Sequence, residues 1–418
     1  MRGGANVYSL PENLFSRAMC AVMADQSSHR FLVGTNSYKK ENEVHLINYS
    51  EDSNRIDQES VFQIENGEIW TLSSSPYDRN VFACGLQSTK EGQNDHVVNL
   101  YDIQEVKESH KDFDKKCLKV KSQLKASSES QAHQNQIHSI QWEDTEYSEG
   151  QISKELVTAD NDRINIWDLK TSQIKASLDP KTFFTNSQDE ESLNECTVVK
   201  RDPHHKNLLC VGVEKGFIQI DQRVATGKNQ DSILQKRAHS DLIMDLDYNP
   251  NKLNTIATCG QDSVLRFWDL RKIDKSILEF EEDSHWISKV KFNKFHDQLL
   301  ITGCTSTFVS LYRASSVSQM PLSNVNLNDL NTTNTFMMTS MTMPDDGYGP
   351  ETSRMMTQTH RGEGEDLQDK LVQRYELEDS VHVIDWSASD AWIFAGVSYN
   401  GTFFLNVVPS KEKYKILL

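Results

Sequence analysis

Long apolar runs are missing from this sequence. No segment approaches the roughly 20 apolar residues that a helix needs to cross a bilayer, and residues 1–20 lack the apolar stretch of a secretory signal. Basic residues are also in deficit, with 44 Lys and Arg against 61 Asp and Glu and a net charge of −17. Broad binding to nucleic-acid phosphate needs clustered cations. The sequence therefore predicts a soluble protein that neither inserts directly into a membrane nor binds nucleic acid.

Catalytic and metal-binding motifs are missing as well. The sequence contains no GxGxxG, HExxH or GxSxG, and Gly227-Lys228 lacks the Gly and the Ser/Thr that complete a phosphate-binding loop. The seven cysteines are widely spaced and never form CxxC. Several lie in short apolar runs, where a reduced thiol acts as a small hydrophobe. We therefore expect no enzyme activity, no cofactor and no metal, and a reducing compartment.

One sequence unit recurs along the chain. Residues 238–271 contain a His, an alternating strand, an Asn-Pro turn, a second strand, a Gly-Gln-Asp turn and a third strand that ends in Trp-Asp. Residues 132–170 repeat this order, and weaker copies consist of short strands of period two. The predicted units lie roughly at residues 12–50, 65–103, 133–170, 192–223, 238–271, 283–313 and 375–408.

Units with a His near the start and Trp-Asp near the end are the signature of a WD40 β-propeller. We expect a single all-β domain, a seven-bladed WD40 β-propeller, because radial packing buries the sheet faces and keeps the edges short. Units with Asp283 in place of the His, or Tyr312 in place of the Trp, should have fewer polar cross-links. The predicted hydrogen-bond network of the blades consists of His239, Thr258, Asp262 and Trp268, with His133 and Trp167 in the earlier unit.

Polar segments separate the units. Residues 104–131 are rich in Lys around CLKVKSQL, which is predicted as an outer strand, and residues 171–192 are predicted as a polar loop. Residues 314–372 are rich in Ser, Thr, Asn and Met without any period, and predict a long disordered insert between the sixth and seventh blades. An open ring would expose a long sheet edge. Either residues 7–10 or residues 416–418 are expected to supply the closing strand.

Binding is the function that remains open to a rigid disc with variable loops. Trp286, beside His285, falls near the start of an innermost strand, where an aromatic anchor would be a binding hot spot. The alternative for Trp286 is ordinary packing against the adjacent blade. Three other tryptophans lie inside first strands and are predicted to pack between blades: Trp70, Trp142 and Trp386. The positions that match Trp286 in other units, also candidates for partner binding, are Leu242, Glu68 and Gln136.

Segments spread over nearly the whole chain carry a family resemblance. They are RFLVGTNSYKKENEVHLINY, GEIWTLSSSPYDR, DPHHKNLLCVG with IDQR, DLDYNPNK with FWDLRK, DSHWISKVKFNKFHDQLLITG, EDSVHVIDWSASDAWIFAGVSYNGTF and the final KYKILL. In these segments the sequence resembles the EARP and GARP complex-interacting proteins of vesicle traffic. The blade-six segment together with KYKILL is the most specific part of the resemblance.

The resemblance implies a non-enzymatic adaptor that binds protein subunits of multisubunit tethering complexes at endosomes and the trans-Golgi network. It implies roles in endosomal recycling, endosome-to-Golgi retrograde transport and secretory-vesicle maturation, and a link to small GTPase trafficking machinery. It also implies a cytoplasmic protein that reaches these membranes peripherally, through its partners.

Two alternative binding functions remain open. Arg223 and Arg271 each end a unit in a D-x-R box, which resembles the substrate receptors of cullin-type ubiquitin ligases, where the Arg contacts an adaptor. Each Arg could instead pair with an acidic side chain at the blade rim. The strong acidity of the chain also allows a histone or chromatin escort.

Overall fold

The polypeptide is described by a computed structural model over most of its length. The described residues are 6–11, 14–38, 41–65, 67–87, 96–107, 116–125, 136–143, 154–180, 195–223, 233–235, 237–281, 283–319 and 368–417. The predicted network residue His133 and most of the predicted insert, residues 320–367, lie outside these ranges.

The strands within these ranges form five four-stranded sheets and one eight-stranded sheet. The eight-stranded sheet consists of two four-stranded blades whose outer strands pair in parallel, Phe62 with Lys116 and Gln63 with Cys117. Each innermost strand contacts the innermost strands of the two neighbouring blades, and those of the first and last blades contact each other. The chain is therefore a closed seven-bladed β-propeller, which confirms the fold predicted from the repeats.

Within each blade the strands are numbered from the innermost to the outermost, and β1 alone departs from this order. The first described strand, β1 (Asn6–Ser9), is the outermost strand of blade 7. Blade 1 consists of β2 (Ser16–Ala21), β3 (His29–Thr35), β4 (Asn42–Ser50) and β5 (Arg55–Ile64). Blade 2 consists of β6 (Glu68–Ser74), β7 (Val81–Gln87), β8 (His96–Lys107) and β9 (Lys116–Leu124). Blade 3 consists of β10 (Ile137–Trp142), β11 (Glu155–Asp160), β12 (Ile164–Asp168) and β13 (Gln173–Leu178).

The remaining blades follow the same order. Blade 4 consists of β14 (Cys196–Arg201), β15 (Leu208–Val213), β16 (Gly216–Asp221) and β17 (Ile233–Gln235). Blade 5 consists of β18 (Ile243–Tyr248), β19 (Thr255–Gly260), β20 (Leu265–Asp269) and β21 (Leu278–Phe280). Blade 6 consists of β22 (Ile287–Phe292), β23 (Leu299–Cys304), β24 (Phe308–Arg313) and β25 (Lys370–Glu376). Blade 7 contains β26 (Val381–Trp386), β27 (Ile393–Ser398) and β28 (Thr402–Val407), and helix α1 (Ser410–Leu417) follows it.

The ring closes through the amino-terminal strand. β1 pairs antiparallel with β28, with Asn6 opposite Leu405 and Ser9 opposite Thr402. The Leu10 N–H then donates to the Gly401 carbonyl at 3.0 Å. Of the two segments that the sequence left open, residues 7–10 therefore supply the closing contacts, while residues 416 and 417 lie in helix α1.

Burial falls from the inner strands of a blade to the outermost one, where one sequence prediction fails. Every residue of β19 is buried, because the neighbouring blades cover both faces of this strand. In β13 a single residue is buried, although its sequence QIKASL alternates polar and apolar residues, and the polar composition of residues 171–192 hid this short alternation. The prediction of a loop at residues 171–192 is therefore wrong where β13 lies, although the predicted strand in CLKVKSQL is confirmed as β9.

The predicted bounds of the insert and of the blades need the same correction. β25 begins at Lys370 and a 3₁₀ turn spans Ser315–Val317, so both ends of the predicted insert, residues 314–372, belong to ordered structure. The first predicted unit, residues 12–50, omits β5 and begins before β2. The repeat was drawn from three strands per unit, so the unit bounds leave out outermost strands such as β5.

Two of the three core tryptophans lie where the sequence predicts. Trp142 and Trp386 are 8% and 3% exposed. Their indole N–H groups donate to backbone carbonyls of the preceding blade, Trp142 to Ser73 at 3.2 Å and Trp386 to Lys291 at 3.2 Å. These bonds satisfy the one polar atom of each buried ring, so the tryptophans pack between blades without an orphaned donor.

Candidate functional site

The predicted network residues of blade 5 lie in contact with one another. The Trp268 indole N–H donates to Thr258 Oγ1 at 2.9 Å, and Thr258 Oγ1 lies 2.7 Å from His239 Nε2. His239 Nδ1 lies 2.9 Å from Asp262 Oδ1. Because an ionised carboxylate can only accept, Nδ1–H of the imidazole donates to Asp262, and Nε2, which carries no proton in the neutral ring, accepts the Thr258 hydroxyl. This hydrogen-bond network joins β19 and β20 to the loop before β18.

The protonation states agree with this direction. Burial lowers the pKa of His239, more than its contact with Asp262 raises it, so the imidazole is neutral near pH 7. Burial raises the pKa of Asp262, but hydrogen bonds from His239, Arg266 and the Ser240 N–H lower it by more. The pKa of Asp262 therefore lies well below its usual range. Arg266 Nη1 donates to Asp262 Oδ2 at 2.6 Å. The network therefore rests on an ionised Asp beside a neutral His.

Other blades keep part of this arrangement. In blade 3 the Trp167 indole N–H donates to Thr158 Oγ1 at 2.9 Å, while His133 lies outside the described residues. In blade 6, Tyr312 donates its hydroxyl to Asp283 Oδ2 at 3.2 Å. Asp283 thus stands at the position of the blade-5 His, and Tyr312 stands at the position of the blade-5 Trp. Blade 6 therefore keeps a polar cross-link in a unit for which the sequence predicted fewer of them.

Every innermost strand has a β-bulge at its second residue or, in β6, at its third. The pairing with the second strand shifts at the same place in all seven blades. A bulge turns one side chain away from the alternation of its strand. We call these residues, all of which line the central cavity of about 420 Å³, the bulge ring: Arg17, Trp70, His138, Thr197, Met244, Ser288 and His382.

The seven innermost strands begin on one face of the disc, which we call the front face. Two residues before each bulge stand the rim positions: Phe15, Glu68, Gln136, Glu195, Leu242, Trp286 and Ser380. Gln136 and Leu242 line the cavity. Trp286 is 43% exposed and Phe15 is 42% exposed. A Trp packed fully against the neighbouring blade would not retain this exposure.

His285 lies beside Trp286, with 5.2 Å between the ring centroids. Its Nδ1 is 2.6 Å from Thr305 Oγ1 on the next turn of the same blade. The Thr305 N–H donates to the Trp286 carbonyl at 3.0 Å. The backbone under the exposed indole is therefore fixed, which lowers the entropy cost of using it as an anchor.

Arg17 of the bulge ring lies between two aromatic rings. Its Cζ is 4.9 Å from the Trp70 centroid and 5.0 Å from the Tyr399 centroid. Phe15 stacks on Tyr399, with 4.9 Å between centroids and 17° between planes. The sequence prediction that Trp70 packs between blades is wrong, because the bulge turns its side chain into the cavity. Nothing in the linear pattern singled out Arg17 or Tyr399.

Charges of alternating sign occupy matching positions in four neighbouring blades. The fifth strand positions of blades 4 to 7 carry Lys200, Asp247, Lys291 and Asp385. Lys200 Nζ lies 3.5 Å from Asp247, and Lys291 Nζ lies 3.8 Å from Asp385. Burial lowers the pKa of Lys291, but Asp385 and the other carboxylates raise it above its usual value. Asp385 Oδ2 also accepts the Ala21 N–H of blade 1 at 3.0 Å. These charges bind neighbouring blades together.

The two D-x-R arginines lie at the blade rim, away from the cavity. Arg223 Nε lies 3.0 Å from Asp221 Oδ1, and Arg271 Nε lies 2.8 Å from Asp269 Oδ1. Both guanidinium groups make a second bond to the other oxygen of the same carboxylate. Each arginine thus pairs with the Asp of its own box, while its side chain stays about two-thirds exposed.

Within the described ranges, no group of three or more His, Cys, Asp and Glu side chains is arranged to hold a metal ion. No helix in that part of the chain has both the length and the apolar character needed to span a bilayer.

Comparisons with known proteins point to one family. The family described as EIPR1 beta-propeller matches residues 4–312. The chain is 32% identical over 410 residues to "EARP and GARP complex-interacting protein 1" of Macaca fascicularis, and the alignment covers 96% of each protein. It is 31% identical to the Homo sapiens protein of the same name, again over 96% of each. A relative from Arabidopsis thaliana, "WD repeat-containing protein DWA2", is 25% identical over 98% of each chain.

Proposed function

This chain belongs to the EIPR1 β-propeller family, and on that premise we propose that it is a non-enzymatic adaptor that binds multisubunit tethering complexes of the EARP and GARP type. In this role it supports endosomal recycling, endosome-to-Golgi retrograde transport and secretory-vesicle maturation. It acts as a cytoplasmic protein held at endosomes and the trans-Golgi network by its partners, alongside small GTPase trafficking machinery.

One observation carries this function: the exposed Trp286 on the front face, with His285 beside it. Aromatic anchors at the centre of a docking surface dominate the binding energy of protein complexes. Relatives that align over almost their full length are named for interacting with EARP and GARP complexes. Binding residues of a rigid scaffold lie mostly on its loops, so we expect a tether subunit to bind the front-face loops.

The test is affinity purification of the tagged chain from its own cells, with partners identified by mass spectrometry. Trp286→Ala should reduce recovery of tether subunits about tenfold or more and leave thermal unfolding nearly unchanged. Phe295→Ala is the matched control, since Phe295 is 51% exposed in the turn after β22, on the opposite face. Recovery of a cullin adaptor or of histones in place of tether subunits would contradict the proposed function.

A further inference from the structure

The mouth of the central cavity holds two buried hydrogen-bond donors without acceptors. Arg17 Nε and Trp70 Nε1 are shielded from solvent, and no described residue accepts a hydrogen bond from either. A buried donor left unpaired costs about 1 to 3 kcal/mol. Two such donors on side chains in contact with each other mark a place where an acceptor from outside the chain would be favoured.

The shape of the guanidinium narrows the kind of acceptor. Trp70 and Tyr399 lie on Arg17 and fix its position. A planar guanidinium matches a carboxylate with two parallel N–H bonds, which a spherical ion cannot match. The indole N–H of Trp70 can donate to a further lone pair of the same group.

Charge counting at the mouth favours a monoanion. Arg17 is the one permanent cation of the bulge ring, whose other charged candidates are His138 and His382. Burial lowers the pKa of both histidines, that of His382 to about 4, so they are neutral near pH 7. Four lysines also line the cavity. Three of them lie within 4 Å of a carboxylate: Lys200 near Asp247, Lys289 near Asp245 and Lys291 near Asp385. The fourth, Lys294, and Glu195 carry opposite charges, so the lining is left with one net positive charge. A single positive charge balances one carboxylate, whereas a phosphate group with a charge of about −1.5 to −2 would remain uncompensated.

We propose that the front-face mouth binds the carboxylate of an Asp or Glu side chain from a partner protein, held by Arg17 and Trp70. Phe15, which stacks on Tyr399, offers an apolar surface for the residue next to that carboxylate. The site would let the front face bind an acidic residue of the partner, in addition to the aromatic contact that the exposed Trp286 offers. As the docking site of a tether subunit it rests on the proposed function, but carboxylate binding itself does not.

The first experiment tests carboxylate binding alone. A blocked tetrapeptide, acetyl-Ala-Glu-Phe-Ala-amide, carries one carboxylate, and its Gln counterpart carries none. The indole N–H resonance of Trp70, assigned by its loss in Trp70→Phe, is followed by NMR at millimolar peptide concentration. We expect a saturable shift with the Glu peptide and a far smaller one with the Gln peptide. No difference between the two peptides in the wild-type chain would overturn the proposal.

Variants of the arginine locate the effect. Arg17→Gln should abolish the response to the Glu peptide, and Arg17→Lys should weaken it because the fork geometry is lost. Arg55→Gln is the matched control, as it removes an arginine that is 74% exposed on the outermost strand of blade 1. An unchanged response in Arg17→Gln would overturn the assignment. A phosphoserine peptide that binds more tightly than the Glu peptide would overturn the choice of a carboxylate.

Capture of tether subunits then links the site to the proposed function. If the wild-type chain captures them, Arg17→Gln should lower their recovery at least several-fold and Arg55→Gln should not. Equal recovery by wild-type and Arg17→Gln chains would exclude the mouth as their docking site. If the wild-type chain captures no tether subunit, the proposed function fails, while the peptide titration still decides on carboxylate binding.

Discussion

Arg313, the last residue of β24, forms a buried ion pair with Glu412 of helix α1, with 2.8 Å between Nη1 and Oε2. Their side chains are 0% and 6% exposed. Arg313 also donates to the Gln368 carbonyl, just before β25. One guanidinium therefore joins blade 6, the start of its outermost strand and the carboxyl-terminal helix, which explains why a helix of mostly polar sequence stays docked.

Removing the carboxylate should destabilise the protein strongly. Glu412→Ala leaves the Arg313 charge buried without its partner, and we expect the free energy of unfolding to fall by about 3 to 5 kcal/mol in urea denaturation. Lys411→Ala, one residue earlier on an exposed position, should change it by less than about 0.5 kcal/mol. The double variant Arg313→Met/Glu412→Met should recover most of the loss. A small effect of Glu412→Ala would show that the helix is not held by this pair.

Gly401 should not tolerate a side chain. Its φ is +82°, and a Cβ there would lie 2.5 Å from the Leu14 carbonyl oxygen. We expect Gly401→Ala to cost about 1 to 2 kcal/mol from backbone strain alone, plus the clash at the ring closure. Gly401→Asn relieves part of the strain but not the clash, because Asn adopts the left-handed region more readily. Thermal unfolding of both variants measures the two contributions, and equal stability of all three chains would show that the loop simply moves.

Thr258 should matter far more than its counterpart in the next blade. Thr258→Val removes the hydroxyl that joins Trp268 to His239 and leaves two buried groups unpaired, at a cost of about 2 to 4 kcal/mol. Thr302 occupies the matching position of blade 6, but its buried hydroxyl has no partner among the described residues. Thr302→Val should therefore be neutral or slightly stabilising. Similar losses for both valine variants, measured by chemical denaturation, would contradict the network.

Acid should weaken the fold partly through His382. Burial, and then the charge of Arg17, lower the pKa of His382 to about 4. The unfolded chain therefore binds more protons than the folded one between about pH 6.5 and pH 4, and the free energy of unfolding falls as the pH falls through that window. From pH 7.5 to pH 5 this histidine accounts for about 2 kcal/mol at most.

The measurement is the difference between wild-type and His382→Gln stability at those two pH values. The variant should lose less stability than the wild type on acidification, since it has no proton to gain at this position. His205→Gln serves as the control, because His205 is about half exposed at a turn. Parallel pH profiles for wild-type and His382→Gln chains would rule out this contribution.

The sequence by itself determined the blades and their internal network. The apolar alternation of inner strands and the His, Thr, Asp and Trp of residues 238–271 are short-range features, repeated along the chain, so the fold and the contact of His239 with Asp262 could be read from spacing. The exposed Trp286 was found in the same way, by aligning one unit with another. These features depend on each blade alone, and the blade is encoded within one stretch of sequence.

Only the tertiary structure decided the rest. The outer strand β13 has one buried residue, and its short alternation lies within a polar segment that did not identify it as a strand. Ring closure by β1 depends on an edge left open nearly 400 residues later, which no local signal encodes. The meeting of Arg17 with Trp70 and Tyr399 requires three blades, two bulges and a closed ring. A bulge reverses the side of the strand on which a residue lies, and that reversal joins residues whose sequence neighbours say nothing about one another.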